Sequence, residues 1–546
     1  MSSSIARARG TRAPIVITLA LAAQVAAQVH ETTLPDEFVT TRHEVDVGDR
    51  NIEYTAYAGM LPLYENDTGE IMARVFIMAY VADRERGEPV RPITFIWNGG
   101  PGASSSQLQL VGFGPRGLDT PASYPEWFED PPHEIVDRPD TWLAVSDLVF
   151  VDPVGTGYSR ATSEAHRDLL YSRRGDIEAV AEAIRLYRTR FDAWDAPLFI
   201  AGESYGTTRA MGVAEALGRR RTEVAGVILI SGYYDAGQEV PDALRTALDT
   251  PMYTAGAHYH ERLPADLQSL SQDEALRAAE TWARNEYAPA LERRDSLSPD
   301  ARAAVLEGIQ RYTGVPAEII DAETLALGPG TFTDRLLEDQ GLELGRYDHR
   351  MTLTRRAAGR AWVPTRDPSL VPMIDLMQGT FAPAIRYLRN SLGYKSDLLY
   401  QGPFGEAFHP RPLQDVTGGA AGDLAGIYTD WMTIKWDHET SAEPGSGDAT
   451  NEPPRPKRPP LARAMEMNPR LLVWNVKGVY DGSCAALDEA VARTEEHLRR
   501  RVRNSCYPAG HMVYTEPAVR RDMQQDFAAF VRDALAARAV AGKGYR

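Results

Sequence analysis

The chain has 546 residues, of which 43% are hydrophobic and 25% charged, and its formal net charge is −17. This length can bury a large core in one interrupted domain or in two, and the acidic balance gives no electrostatic reason to expect a nucleic acid partner. The two cysteines are too few for a disulfide scaffold and have no histidine cluster beside them for a structural zinc site. We therefore expect neither a metal nor a cofactor.

Residues 1–27 have the three-part layout of a secretory signal peptide. Three arginines without any acid precede an apolar run, and small residues before Gln28 offer a cleavage site. A permanent membrane anchor is the alternative, but the run is shorter than the roughly 20 residues that a spanning helix needs. We expect cleavage after Ala27 and a secreted or periplasmic protein with no stable membrane anchor.

Residues 28–237 predict the first part of an α/β domain. Stretches 43–65 and 71–82 alternate at the β-strand period, and "NDTGE" is the turn between them. Short apolar strands ending in glycine-rich turns then alternate with amphipathic helices. This arrangement is typical of a mostly parallel, doubly wound sheet with helices on both faces.

Residues 238–460 have a different pattern, helical in period and without a convincing strand. Their last part, residues 440–460, is rich in proline, glycine and charge, and predicts an exposed loop or linker. Residues 461–546 return to the earlier alternation, with a strand, one helix at 485–501, a second strand and a last helix. The simplest interpretation is one α/β domain interrupted by a helical insertion.

A serine between two glycines marks a candidate nucleophile. Gly202-Glu203-Ser204-Tyr205-Gly206 follows an apolar strand and precedes a helix. The pattern fits a nucleophile elbow, in which flanking glycines allow a tight turn. A serine hydroxyl is a poor nucleophile and needs an imidazole base that is oriented by a carboxylate.

The base should be a histidine in a loop after a late strand, because the chain order in this fold is serine, acid, histidine. His511 in "CYPAGHMVY" meets this requirement. Other histidines after Ser204 lie in the insertion or its loops, where we expect solvated side chains. They include His349, His409 and His438.

The acid should leave the strand before the histidine's strand, and "RLLVWNVKGVYDGSC" supplies Asp481. Asp488 and Glu489 are near in sequence but fall within a predicted helix, so we expect them to be surface charges. The predicted triad is Ser204, Asp481 and His511.

Acyl transfer also needs donors directed at the developing oxyanion. One should be the backbone N–H of Tyr205, and the other should come from "WNGGPG", at Gly99 or Gly100. A plain turn is the alternative reading of this loop. No Gly-Lys-Ser/Thr follows, so it does not predict a phosphate-binding loop.

Five motifs between Asn98 and Val513 resemble the serine carboxypeptidase family (peptidase family S10): "NGGPG", "FVDPVGTGYS", "GESYG", an aspartate after the penultimate strand, and "GHMV". The resemblance implies an α/β-hydrolase fold with a helical insertion, and removal of one residue from a peptide C-terminus through an acyl-enzyme. It also implies the roles of individual residues: Ser204, Asp481 and His511 as the triad, Gly100 and Tyr205 as oxyanion donors, and Asn98, Gly99 and Glu203 as the site for the substrate's carboxylate.

The sequence departs from the family pattern at several positions. Ile96 stands where the family commonly has tryptophan, and Trp97 is adjacent to Asn98 instead. Cys484 matches a family position where a free thiol lines the pocket. A bridge between Cys484 and Cys506 is the alternative.

Glu203 would repel a peptide's terminal carboxylate unless one of the two is protonated and they share a hydrogen bond. Burial and the ligand's charge should raise the pKa of Glu203, so peptide binding should be strongest in mild acid. A glutamate that only braces the elbow is the alternative.

The expected partner is a peptide with a free C-terminus. An esterase or acyltransferase on the same scaffold is the second hypothesis, because the insertion determines which acyl and leaving groups fit. A non-catalytic binding protein is the third, and the intact triad and oxyanion loop argue against it.

Overall fold

The computed structural model describes residues 38–355, 366–377, 381–402 and 458–542. The predicted signal peptide lies outside these ranges, as do His409, His438 and most of the predicted linker. Within the described ranges, no helix combines the length and the apolar character that a membrane span requires.

The strands in the described part of the chain form one large sheet and two small ones. In chain order the described strands are β1 (Val39–Val47), β2 (Arg50–Tyr64), β3 (Ile71–Ala82), β4 (Ile93–Trp97), β5 (Arg116–Leu118), β6 (Ile135–Asp137), β7 (Asp147–Val151), β8 (Arg160–Ala161), β9 (Leu198–Glu203), β10 (Gly226–Ile230), β11 (Leu342–Leu344), β12 (Thr352–Thr354), β13 (Leu472–Gly478) and β14 (Val502–Tyr507).

The large sheet has ten strands in the order β1-β2-β3-β7-β4-β9-β10-β13-β14, with β8 paired to β3. From β7 to β14 neighbouring strands are parallel, whereas β1, β2 and β3 pair antiparallel. The middle strands are apolar and buried on both faces, as parallel strands under helices must be. The predicted α/β-hydrolase fold class is confirmed.

Helices cover the sheet and make up much of the described part of the segment between β10 and β13. The described α-helices are α1 (Glu164–Leu170), α2 (Arg173–Arg190), α3 (Tyr205–Arg219), α4 (Asp242–Leu248), α5 (Thr250–Tyr259), α6 (Ala265–Gln268), α7 (Gln272–Trp282), α8 (Ala288–Glu292), α9 (Pro299–Thr313), α10 (Pro329–Arg335), α11 (Ile374–Met377), α12 (Ala382–Arg386), α13 (Pro460–Met467), α14 (Cys484–Ala492), α15 (Glu496–Arg499) and α16 (Pro517–Gly542).

Among the described residues, two buried clusters of apolar side chains are separate from each other. The larger one packs sheet residues against α2, α3 and α13, and the smaller one comprises residues between Ala247 and Leu344. The second cluster gives the segment between β10 and β13 a core of its own. The insertion boundaries at residues 237 and 460 stay a prediction.

Three predicted elements differ in the structure. The stretch 43–65 is two antiparallel strands, because Gly48 at φ +63° turns the chain between β1 and β2. The stretch 485–501 holds two helices, and Thr494 at the break bonds Ala490 through its side chain rather than continuing the helix. The insertion contains the hairpin of β11 and β12, whose three-residue strands are too short to show a period.

Candidate active site

Ser204 lies on a tight turn between β9 and α3, with φ +56° and ψ −127°. A positive φ is costly for a non-glycine residue and is typical of a nucleophile elbow, where it exposes the hydroxyl. The flanking glycines are sterically required, since a Cβ on Gly202 would lie 2.0 Å from the Gly206 carbonyl oxygen. The sequence therefore forms the elbow locally.

Asp481 and His511 lie in the loops after β13 and β14, at the same edge of the sheet as Ser204. His511 Nδ1 lies 2.8 Å from Asp481 Oδ2, so the ring can donate one proton to the carboxylate and keep Nε2 for another partner. Within the described ranges His511 and Ser204 are not hydrogen-bonded to each other. Such bonds are often long before substrate binds.

His511 is strongly influenced by its neighbours. Burial alone would lower the pKa of His511, but the charge and hydrogen bond of Asp481, together with the charge of Glu203, raise the pKa above its usual value. The charge of Lys477 acts in the opposite direction. The imidazole is thus set up as a stronger base than a free histidine.

The loop after β4 packs directly on the elbow. A Cβ on Gly99 would lie 2.7 Å from the Tyr205 nitrogen and 2.6 Å from the Glu203 carbonyl oxygen. Gly100 has φ +97°, a conformation that favours glycine. The segments carrying the two expected oxyanion donors, Gly100 and Tyr205, are therefore in contact.

Two side chains to which the sequence analysis assigned no role brace this loop. Trp97 Nε1 donates to the Gly206 carbonyl oxygen at 2.9 Å, so the tryptophan displaced by one position supports the elbow. Arg209, fully buried, donates to the Asn98 carbonyl oxygen at 2.8 Å and pairs with Asp176 at 2.8 Å.

Glu203, which directly precedes Ser204, is buried and 3% exposed. Asn98 Nδ2 donates a short hydrogen bond to Glu203 Oε2, and the Tyr514 hydroxyl donates to Oε1 at 2.8 Å. Burial raises the pKa of Glu203, although the charge of His511 and these two hydrogen bonds act to lower it. Tyr514 was missed; its only signal was its position three residues after His511.

Cys484 and Cys506 form a disulfide, which excludes a free thiol at Cys484 in this structure. Cys484 begins α14, three residues after Asp481, and Cys506 lies in β14, five residues before His511. The bridge therefore joins the two segments that carry these side chains.

The expected solvated role of His349 is wrong. His349 is 1% exposed, and burial lowers its pKa to about 4. Asp488 is exposed and accepts from Asn504, as expected for a surface charge, whereas Glu489 is half-buried and bonds Arg284 of the insertion.

One exposed group of side chains in the described part of the chain has a spacing that could hold a cation. Glu466, Glu495 and His497 bring one ligand atom each within 4.8 Å of one another. Arg458 already pairs with both carboxylates, so the group is better described as an ion-pair network.

Residues 51–267 match the sequence model of the serine carboxypeptidase family. Among curated proteins, the chain is similar to the pheromone-processing carboxypeptidase kex1 of Neosartorya fischeri, 24% identical over 213 residues that cover 37% of this chain and 30% of that protein. It is also similar to serine-type carboxypeptidase F of Aspergillus niger, 29% identical over 150 residues that cover 27% of this chain and 24% of that protein.

These alignments span less than a third of the relatives' length. Among solved structures, Kex1(delta)p, a prohormone-processing carboxypeptidase from Saccharomyces cerevisiae, superposes with a TM-score of 0.48 at 13% identity, covering 88% of this chain and 92% of that one. The resemblance inferred from the motifs is confirmed for residues 51–267, which match the serine carboxypeptidase model and hold three of the five motifs.

Proposed function

We propose that the protein is a serine carboxypeptidase that releases residues from peptide C-termini through an acyl-enzyme. The observation that carries this proposal is the buried Glu203 carboxylate, which lies next to the nucleophile and accepts hydrogen bonds from Asn98 and Tyr514. An ordinary serine hydrolase has no need of a buried carboxylic acid at this position. A site that recognises a free carboxylate does.

Ser204 is the proposed nucleophile and His511 its base. His511 takes the hydroxyl proton as Ser204 attacks the carbonyl carbon of the last peptide bond, and Asp481 orients the ring and stabilises the imidazolium. The proton then passes to the leaving amine, which departs as the C-terminal amino acid. Water, activated by the same histidine, hydrolyses the acyl-enzyme.

The backbone N–H groups of Gly100 and Tyr205 are the proposed oxyanion donors. The segments that carry these two residues are in contact, since a Cβ on Gly99 would lie 2.7 Å from the Tyr205 nitrogen. Asn98, the Gly99 amide and Glu203 are the proposed partners of the substrate's terminal carboxylate, with Tyr514 supporting Glu203 from its other oxygen.

The proposed pH dependence follows from two raised pKa values. A peptide carboxyl ionises at about pH 3.3–3.7, so in mild acid the substrate is charged while Glu203, whose pKa is raised by burial, is neutral and donates to it. As pH rises through the pKa of Glu203, two carboxylates face each other and KM increases. As pH falls, His511 is protonated and kcat decreases.

The two groups are coupled. The charge of Glu203 helps to raise the pKa of His511, so protonation of Glu203 lowers the pKa of His511. A neutral Glu203 thus keeps the base unprotonated at a lower pH than would otherwise be the case. This coupling extends activity toward acid, and together with the neutral Glu203 it supports the proposal that peptide cleavage is favoured at acidic pH.

We also propose export to a secreted or periplasmic location, which the sequence pattern of residues 1–27 supports. Residues 238–460 are the proposed insertion that builds the side-chain pockets. Its separate apolar cluster supports this division.

The test is digestion of a peptide library followed by mass spectrometry, from about pH 4 to pH 8. We expect stepwise loss of single C-terminal residues, best in acid, and no loss from matched peptides with amidated C-termini. Ester hydrolysis without any peptide trimming would favour the esterase hypothesis. Failure of a fluorophosphonate to label Ser204 would overturn both.

A further inference from the structure

The tip of the hairpin between β11 and β12, residues 345–351, reaches from the insertion to both catalytic loops. His511 N–H donates to the Tyr347 carbonyl oxygen at 2.7 Å, and His349 N–H donates to the Tyr480 carbonyl oxygen at 3.1 Å. Tyr480 directly precedes Asp481. The backbone of one short segment is therefore hydrogen-bonded to the amide of His511 and to the carbonyl of Tyr480, the residue before Asp481.

A buried cation links the same segments through side chains. Arg350 bonds Asp348 at 2.9 and 2.7 Å, forms a short ion pair with Glu516, and lies over the Tyr480 ring at 4.6 Å. Asp348 and Arg350 are 1% and 7% exposed. A single guanidinium thus joins the hairpin tip, the acid's loop and the segment that follows the histidine.

The packing at this contact leaves little room for displacement. A Cβ on Gly510 would lie 2.4 Å from Asp348 Oδ2. The Tyr347 ring packs edge-on against the His511 ring, with centroids 5.1 Å apart. Tyr347 is held in turn, because its N–H donates to Ser369 Oγ at 3.0 Å.

We propose that the hairpin tip positions His511 against Asp481 for catalysis, with Asp348 and Arg350 as positioning residues. The inference rests on the proposed function, since it assigns these residues a role in the same reaction. Displacing a catalytic group by about 1 Å can cost on the order of 100-fold in rate, so a rigid brace behind the base has a large effect.

A buried ion network that serves only stability is the alternative. It predicts lower stability for any variant, without a specific effect on the histidine. The charged groups that act on His511 from neighbouring elements are Asp481, Glu203 and Lys477. A variant that loosens the His511–Asp481 pair should therefore weaken the influence of Asp481 and move the low-pH limb of activity to lower pH.

The experiment compares Asp348→Asn and Arg350→Lys with Glu215→Gln. Glu215, 6% exposed, is a buried carboxylate that pairs with the half-buried Arg463 between α3 and α13, so it tests the loss of an ion pair outside the hairpin. For an ester substrate we expect kcat to fall about 10- to 100-fold in the first two variants, with KM within about 2-fold. The control should lose stability without a change in kcat.

A second measurement does not depend on activity. In protein labelled with ¹⁵N-histidine, the low-field proton resonance of the His511 Nδ1–H reports its hydrogen bond to Asp481. We expect this resonance to weaken or shift in Asp348→Asn and Arg350→Lys and to be unchanged in Glu215→Gln. If the wild-type protein is inactive on peptides and esters, the proposed function fails while this measurement still tests the positioning.

The proposal would be overturned if Asp348→Asn and Arg350→Lys fold and both keep the wild-type kcat, the wild-type low-pH limb and the wild-type His511 resonance. If neither variant folds, Tyr347→Leu removes the ring contact with His511 and keeps the backbone hydrogen bond. A lower kcat with a shifted resonance in this variant would support positioning, and wild-type values in both measurements would overturn it.

Discussion

Two buried acidic side chains lie near His511, and their partners differ. Glu203 accepts hydrogen bonds from the neutral groups of Asn98 and Tyr514, and burial raises its pKa. Asp348 is paired twice with the guanidinium of Arg350. Burial thus raises the pKa of the first carboxyl, whereas the second is held in a buried ion pair.

The difference suggests separate tasks for the two regions. A buried carboxyl held by neutral donors is protonated more readily than a free one, which suits recognition of a charged ligand. A carboxylate paired through two contacts with a buried arginine has a fixed geometry, which suits a brace. Four substitutions, ordered by expected effect, test this contrast.

Ser204→Ala should abolish activity whatever the state of Glu203 or Asp348, because the proposed roles of both depend on the Ser204 hydroxyl. We expect kcat to fall by about a million-fold for peptide and ester alike. The melting temperature should stay near the wild-type value, since the side chain is small and half-buried. Residual turnover much above this level for one substrate class would contradict a shared nucleophile.

Arg350→Met should remove the ion pairs that Arg350 forms with Asp348 and Glu516. Asp348 and Glu516 would remain buried without their cation, which typically costs about 3–5 kcal/mol. The free energy of unfolding from urea titration measures this loss. Glu203→Gln is the comparison, with an expected loss below about 1 kcal/mol, and equal losses in both would contradict the contrast.

Glu203→Gln should affect substrate recognition rather than chemistry. Without a group that shares a proton with the substrate's carboxylate, peptide KM should rise about 10-fold in mild acid, or about 1.4 kcal/mol, while ester kcat stays within about 2-fold. Removing the charge of Glu203 should also lower the pKa of His511 and move the low-pH limb of ester hydrolysis downward. Steady-state kinetics on matched peptide and ester substrates measures both effects. Equal changes in the kinetic constants of the peptide and the ester would contradict the pairing of Glu203 with the substrate's carboxylate.

Tyr514→Phe should produce the smallest effect. The Tyr514 hydrogen bond lowers the pKa of Glu203 by favouring its charged form, so its loss should raise that pKa. Glu203 would then stay protonated to higher pH, and the high-pH limb of peptide kcat/KM should move upward slightly. The pH profile with an ester serves as the control, and a downward shift for peptides would contradict the assignment.

The sequence was informative where a local pattern carries the geometry. The elbow at Ser204 follows from glycines that are sterically required, and Asp481 and His511 follow from chain order after two late strands. The triad's carboxylate and imidazole are brought together as expected. Their catalytic roles stay predictions until tested.

Other features left no local signal. Tyr514 is one aromatic residue among many, and its contact with Glu203 spans 311 positions of the chain. The hairpin tip acts through backbone groups of Tyr347 and His349, which any residue type could supply. His349 looked solvated because nothing in its neighbouring sequence reveals that Tyr253 and Phe332 pack against it.

The backbone contacts of the hairpin tip affect how such a protein could be re-engineered. Segments inserted between β10 and β13 are suitable targets for exchanging substrate specificity, because they lie outside the sheet. In this chain a replacement insertion would also have to supply a carbonyl that accepts from the His511 N–H and an N–H that donates to the Tyr480 carbonyl oxygen. A chimera that transfers the helices and keeps residues 342–354 from the host would retain both bonds.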